Sequence, residues 1–344
     1  MKKIFITGIC GFVGSSLASF YFKKNYHVAG IDNLSRKGSL KNFLKLRKKG
    51  IKIFKGDLCN NNLLSSFLRK KYKFSNLIHC AAYTSVLDGT NAISSKKLYE
   101  NNILSTLNSL ELAYHFNSNF IYISSSRVYS IDSFKRINLK FKKIYKPLRN
   151  SHNLSNGGIN ENFSTKAPVS IYGSSKIICE NMIEEYCSLK KIPFIINRCG
   201  LIAGRGQLYK NDQGIISFWI NSWRKNKKLH YIGFEGRGYQ TRDCLHPNDL
   251  AVLISLQIKK IKKLKSKNKI FNVSGGSKSA FSLKELSDWC CKNISIRKIN
   301  SIKKDRVFDS KWIVLDNSKA LKEFKWKLKY DKNLIFQNIL NEND

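Results

Sequence analysis

The chain has 344 residues, 42% of them hydrophobic, enough to bury a sizeable core as one large α/β unit carrying a smaller lobe. A formal charge of +39 would suit a nucleic-acid partner, but lysine is spread along most of the chain beside abundant Asn and Ile, which marks a sequence-wide bias rather than one patch. Nine cysteines without a C-x-x-C or a repeating spacing exclude a metal cluster or disulfide framework and suit small buried residues in a reducing cytoplasm.

The start, MKKIFITGICGFVGSSLASFYF, has the outline of a secretory signal, yet cleavage there would remove the stretch Thr7 to Gly14, TGICGFVG. That stretch lies between an apolar run, Ile4 to Ile6, and a helical pattern from Phe12 to Lys24. A strand turning through glycines into a helix presents free backbone N–H groups where a phosphate binds. The spacing is Gly8-x-x-Gly11-x-x-Gly14, with Ile9 where the dinucleotide fingerprint has its middle glycine. A second apolar run, His27 to Ile31, ends in Asp32, eighteen residues beyond Gly14, where a carboxylate suits an adenosine ribose and favours NAD over NADP; Arg36 nearby keeps NADP open.

Further strands are expected at Ile51 to Lys55, Leu77 to Cys80 and Phe120 to Ser124, with helices at 12–24, 39–49, 61–70 and 94–116. This alternation predicts a doubly wound parallel sheet of Rossmann type, with ligands at the carboxyl ends of its strands. Asp57 after the third strand reads as a helix N-cap or an adenine contact. Ala81 and Ala82 after the fourth leave room for a cofactor, or simply pack. The serines 124–126 end the fifth.

From Ile131 to Lys166 the pattern lapses into a basic stretch expected to be a surface excursion spanning 131–170. Order returns with a helix over 173–190 and a strand from Phe194 to Arg198. Beyond Gly200 the elements shorten: helices near 213–226, 248–262 and 282–292 and a strand at Ile270 to Val273. The expected division is a dinucleotide-binding domain over 1–199 and, over 200–344, mainly a smaller mixed α/β substrate lobe with some segments returning to the first. No later stretch is apolar for the ~20 residues that a membrane span needs.

Tyr172 and Lys176 in YGSSK carry the chemistry. On a helix starting near Gly173 their separation puts both on one face, where an ammonium favours the phenolate of a tyrosine that is otherwise a poor base. Tyr172 can then remove a sugar hydroxyl proton while Lys176 also reaches a nicotinamide ribose. Ser125 can hydrogen-bond the reacting oxygen. Taken alone, Y-x-x-x-K is more often a surface pair; here it follows a dinucleotide-type start and a serine-bearing fifth strand in order.

With Gly56-Asp57-Leu58, His79-x-Ala81-Ala82 and Asn102 followed by Thr106, these features resemble the extended short-chain dehydrogenase/reductase (NAD-dependent epimerase/dehydratase) family across nearly the whole chain. The resemblance implies that Phe12 and Val13 approach the pyrophosphate of NAD, that Asn33, Ser35 and Arg36 join Asp32 around the adenosine, that Asp57 and Leu58 meet the adenine, and that Asn102 supports the strand ends. DNLSRKGS at 32–39, NDQG at 211–214, QTRDCLHPNDL at 240–250 and DRVFDSKW at 305–312 resemble the branch that inverts C2 of a CDP-linked deoxysugar. Gln240, Arg242 and Arg306 then hold the substrate, although each arginine alone equally suits a structural ion pair. A UDP-sugar 4-epimerase uses the same Ser, Tyr and Lys. An RNA-binding protein on a dehydrogenase fold would explain the charge but not an intact Tyr172–Lys176 pair. Relatives imply a homodimer through the helices over 94–116 and 173–190.

Overall fold

The computed structural model describes residues 3–60, 62, 73–84, 94–148, 154–155, 157–209, 213–264 and 269–342. The helix expected over 61–70 lies outside the described residues except for Asn62, as do Asn211 and Asp212. The chain forms two compact units, the first from residues 1–125, 171–198 and 247–271, the second from 126–170, 199–246 and 272–344.

In the first unit, strands β1 (Lys3–Thr7), β2 (His27–Asp32), β3 (Lys52–Lys55), β4 (Asn76–His79) and β5 (Asn119–Ser125) pair in the order β3-β2-β1-β4-β5. Their pairings are parallel. The strands Phe194–Cys199 and Ile270–Val273 complete a seven-stranded sheet beyond β5. This is the doubly wound sheet that the alternating pattern predicts. Strands such as β4, buried along their whole length, need helices on both faces, and an apolar core around Phe5, Leu77, Phe120 and Ile196 fills the layer. Helices Phe12–Lys23, Ser39–Lys48, Ser94–His115, Ile171–Leu189 and Pro247–Lys260 belong to this unit. Tyr21 Oη donates to Ala251 O at 2.9 Å, fastening the first of these helices to the last.

The second unit is mixed α/β. Thr241–Leu245 pairs antiparallel with Ala280–Ser282 and parallel with Trp312–Ile313 and Leu201–Ile202. Trp219 and Trp223 of helix Ile215–Arg224 pack with Phe281 and Phe336 in its core. The basic stretch after Ile131 carries more order than its composition suggests: a short helix Ile131–Lys135, an antiparallel hairpin of Leu139–Phe141 with Tyr145–Pro147, and buried Phe134, Ile159 and Phe163. Tyr129 Oη also donates to Asn272 Oδ1 at 2.6 Å. Lysines between these apolar residues hide their spacing. Among the described residues no helix is long and apolar enough to cross a membrane.

Candidate active site and nucleotide cavity

The glycine turn is built by two steric demands. Gly8 has φ +64°, and a Cβ on it would lie 2.8 Å from the Ala81 backbone. A Cβ on Gly14 would run into the Gly8 carbonyl oxygen. Gly11 caps the helix Phe12–Lys23 without any side-chain hydrogen bond, so no side chain competes for the first-turn N–H groups near Phe12 and Val13. Asp32, at the tip of β2, accepts from Cys10 N and Leu34 N at 2.8 Å each. Burial raises its carboxyl above the ordinary value, with the N–H groups of Leu34, Cys10 and Gly11 acting in the other direction.

Around this turn, Asn33 and Ser35 are exposed, and Arg36 donates to Thr84 Oγ1 at 3.1 Å. Asn33 Nδ2 donates to Asp57 Oδ2 at 2.9 Å, while Leu58 is buried and Ala81 and Ala82 are half-buried. Asn102 ties two pieces together. Its Oδ1 accepts from Tyr83 N at 2.7 Å and its Nδ2 donates to Ser175 Oγ at 2.9 Å, one turn from Tyr172.

Tyr172 and Lys176 lie in the helix Ile171–Leu189 and are both buried. The Lys176 ammonium sits 5.9 Å from the centre of the Tyr172 ring and 4.5 Å from that of Tyr122, and donates to Ile123 O at 3.1 Å. Two residues along β5 is Ser125, half-buried at the strand end. Ser124 Oγ donates to Glu180 Oε1 at 2.5 Å, and Arg198 Nη2 meets Glu180 Oε2 at 2.7 Å. That buried pair clamps the end of β5 to the helix one turn beyond Lys176. Behind it, burial first and the Lys176 charge second hold the His79 imidazole well below its ordinary value. His79 Nδ1 lies 2.8 Å from Thr7 Oγ1 and its Nε2 lies 3.2 Å from Thr106 Oγ1, so it serves as a neutral brace.

In the second unit a cavity of about 290 Å³ is lined by Gln240, Arg242 and Arg306 together with Arg127, Lys228 and Asp309, and by the aromatic Phe218 and Trp219. Arg242 Nη2 lies 2.5 Å from Asp309 Oδ1, and burial brings its guanidinium down to about 10. It stays charged at neutral pH. Arg127 Nη1 donates to Phe308 O at 3.1 Å. Arg127 and Lys228 were not singled out as substrate ligands from the sequence, because with 62 Lys and Arg a single positive charge carries no signal; Asp309 lies in the quoted stretch 305–312 but was given no role of its own.

A parallel sheet in this order, with a glycine turn leading into its first helix and an acid closing its second strand, defines a dinucleotide-binding enzyme fold. The pattern of the NAD dependent epimerase/dehydratase family matches residues 4–274, and the chain belongs to that family. Its cofactor is NAD, which suits the open helix start and the Asp32 carboxylate. The chain is 29% identical to CDP-paratose 2-epimerase of Salmonella typhi over 341 residues, covering 95% of each chain. It is 30% identical to dTDP-D-glucose 4,6-dehydratase of Dictyostelium discoideum over 267 residues, 76% of this chain, and spans 56% of that relative's length. The crystal structure of a UDP-glucuronic acid 4-epimerase variant from Bacillus cereus shares its fold, with a TM-score of 0.79, 23% identity and 98% of each chain covered.

Proposed function

We propose that the chain is a cytoplasmic epimerase of nucleotide sugars that inverts C2 of CDP-paratose or a close CDP-linked deoxysugar and feeds polysaccharide synthesis. The observation that carries the chemistry is the Lys176 ammonium beside the Tyr172 ring inside a buried, braced helix start. The likeness to the Salmonella typhi 2-epimerase along nearly the whole of both chains supports the choice of C2 and of a cytidine nucleotide.

The charge of Lys176 favours the Tyr172 phenolate, which takes the proton from the sugar's 2-hydroxyl as C2 gives up hydride. When bound, NAD supplies the hydride acceptor, and the glycine turn and Asp32 hold it. Ser125 hydrogen-bonds the oxygen that becomes a carbonyl. C2 then regains hydride on its opposite face while Tyr172 returns the proton to the carbonyl oxygen, so the reaction is redox-neutral. Arg127, Arg242 and Arg306 hold the diphosphate. Ser126 and Arg127, next to Ser125, offer no carboxylate for dehydration.

The test is to incubate the enzyme with CDP-paratose and UDP-galactose separately and follow products by NMR. CDP-sugar turnover is expected; turnover of the UDP-sugar alone would make it a 4-epimerase. Salt-dependent RNA affinity without either turnover or bound NAD would favour the RNA-binding alternative. The proposed homodimer forms through the helices Ser94–His115 and Ile171–Leu189, where Leu104 and Ile178 are exposed. A monomeric mass by light scattering would reject it.

A further inference from the structure

Gln240 is 7% exposed and lines the arginine cavity of the second unit. Its amide is not free to turn over. Nε2 donates to Ile232 O at 2.6 Å and also faces Gly233 O at 3.5 Å. Two carbonyl acceptors on that side require the NH₂ group there, which leaves Oε1 on the other side as an acceptor. That oxygen is buried and accepts no hydrogen bond among the described residues. Buried polar atoms are ordinarily paired, so an amide oxygen fixed in orientation and left without a donor, in the wall of a cavity, points to a ligand group that donates.

The ligand chemistry is narrowed by the neighbours. Arg242 lies two residues further along the chain and lines the same cavity, and with Arg127 and Arg306 it gives the cavity three guanidiniums suited to a diphosphate. A phosphate oxygen cannot satisfy Gln240, because at neutral pH a diphosphate bridging two esters carries no donor and two acceptors repel. We infer that Gln240 Oε1 accepts an N–H or O–H donor from the nucleoside half of the substrate and is a specificity-determining residue. This rests on the reading of the cavity as the nucleotide-diphosphate site. The nucleoside offers two sources of that chemistry, a ribose hydroxyl and the exocyclic amine of cytosine. Uracil presents a carbonyl where cytosine has its amine, so an acceptor reading that position favours CDP over UDP.

The experiment measures affinities of pyrophosphate, CDP, UDP and 2′,3′-dideoxycytidine diphosphate by calorimetry for the NAD-loaded enzyme and for Gln240→Met. The variant is expected to bind CDP about 10- to 100-fold more weakly, as when a paired buried polar group is lost, and pyrophosphate unchanged. If the base amine is the donor, the unaltered enzyme prefers CDP to UDP and the variant levels them. If a ribose hydroxyl is the donor, CDP and UDP bind alike, the dideoxy nucleotide binds weakly, and the variant levels that difference instead. Unchanged CDP affinity, or equal losses for CDP and pyrophosphate, overturns the inference. So does equal affinity of the unaltered enzyme for all three nucleotides, a measurement that needs no variant. Binding of neither pyrophosphate nor any nucleotide by the unaltered enzyme would instead remove the underlying reading of the cavity.

Discussion

Each unit buries a carboxylate, and the two are held in different ways. In the first, Glu180 meets the Arg198 guanidinium and takes a hydrogen bond from Ser124. In the second, Asp243 accepts from the backbone N–H of Leu315 at 3.0 Å, and burial pushes its carboxyl up to about 6. The guanidinium next to it in sequence, Arg242, leaves from the opposite side of the strand Thr241–Leu245 and lines the cavity. In the first unit the Glu180 carboxylate is answered by Arg198 and Ser124 of the same unit, which holds the end of β5 against the helix that carries Tyr172 and Lys176. The second leaves cations and an acceptor facing a cavity, which suits recognition. Changes in the first unit should therefore appear in rate and stability, and cavity changes in affinity.

The largest expected effect sharpens the rate side. Tyr172→Phe should lower turnover about 10³-fold while protein purified without added nucleotide still releases NAD on denaturation. Near-normal turnover would remove Tyr172 from its role as base. Next, Glu180→Gln leaves the Arg198 charge buried without its partner, and should cost about 3–5 kcal/mol in a denaturant titration. A loss below about 1 kcal/mol, the scale of an exposed pair, would break the contrast between the two carboxylates.

The third concerns pH. Asp243 has a folded value near 6 against an ordinary 3.8, so the folded chain binds the extra proton between those values. Stability from this group is then greatest below about pH 4 and falls by about 3 kcal/mol as pH rises through 6, staying level above. Asp243→Asn, neutral throughout, should lose that slope when melting is compared from pH 4 to 7; a parallel slope in both proteins would assign it elsewhere. The smallest effect tests the cavity. Arg242→Lys replaces a planar fork by a point charge and should raise KM about tenfold with little change in kcat. A fall in kcat at constant KM would place Arg242 with the first unit's machinery.

The first unit was legible because each of its elements is one contiguous periodic stretch, and because Gly8, Gly14, Asp32, Tyr172 and Lys176 stand at recognisable spacings. Its sheet is the doubly wound parallel one that the alternation predicts. The second unit was less so. Its strands are two to five residues long and pair across wide gaps, Leu201 with Cys244 and Thr241 with Trp312, so no local period announces them. Gln240, Arg242 and Arg306 could be named only by resemblance, and they do line one cavity. Nothing in the sequence showed that the Gln240 amide would be fixed by the Ile232 carbonyl, since that depends on a turn formed by tertiary packing.

The bond from Tyr21 to Ala251 joins residues 230 positions apart, and the sheet's last strand comes still later, at Ile270–Val273. During synthesis the first unit must therefore wait, with its edge unpaired, until roughly three-quarters of the chain has left the ribosome. A fragment ending at Arg198 would contain the glycine turn, Tyr172 and Lys176 yet lack that strand and the Ala251 acceptor. Such a fragment exposes an apolar sheet edge to other chains, so the enzyme's vulnerability to aggregation is set by where its chain returns rather than by where its catalytic residues lie.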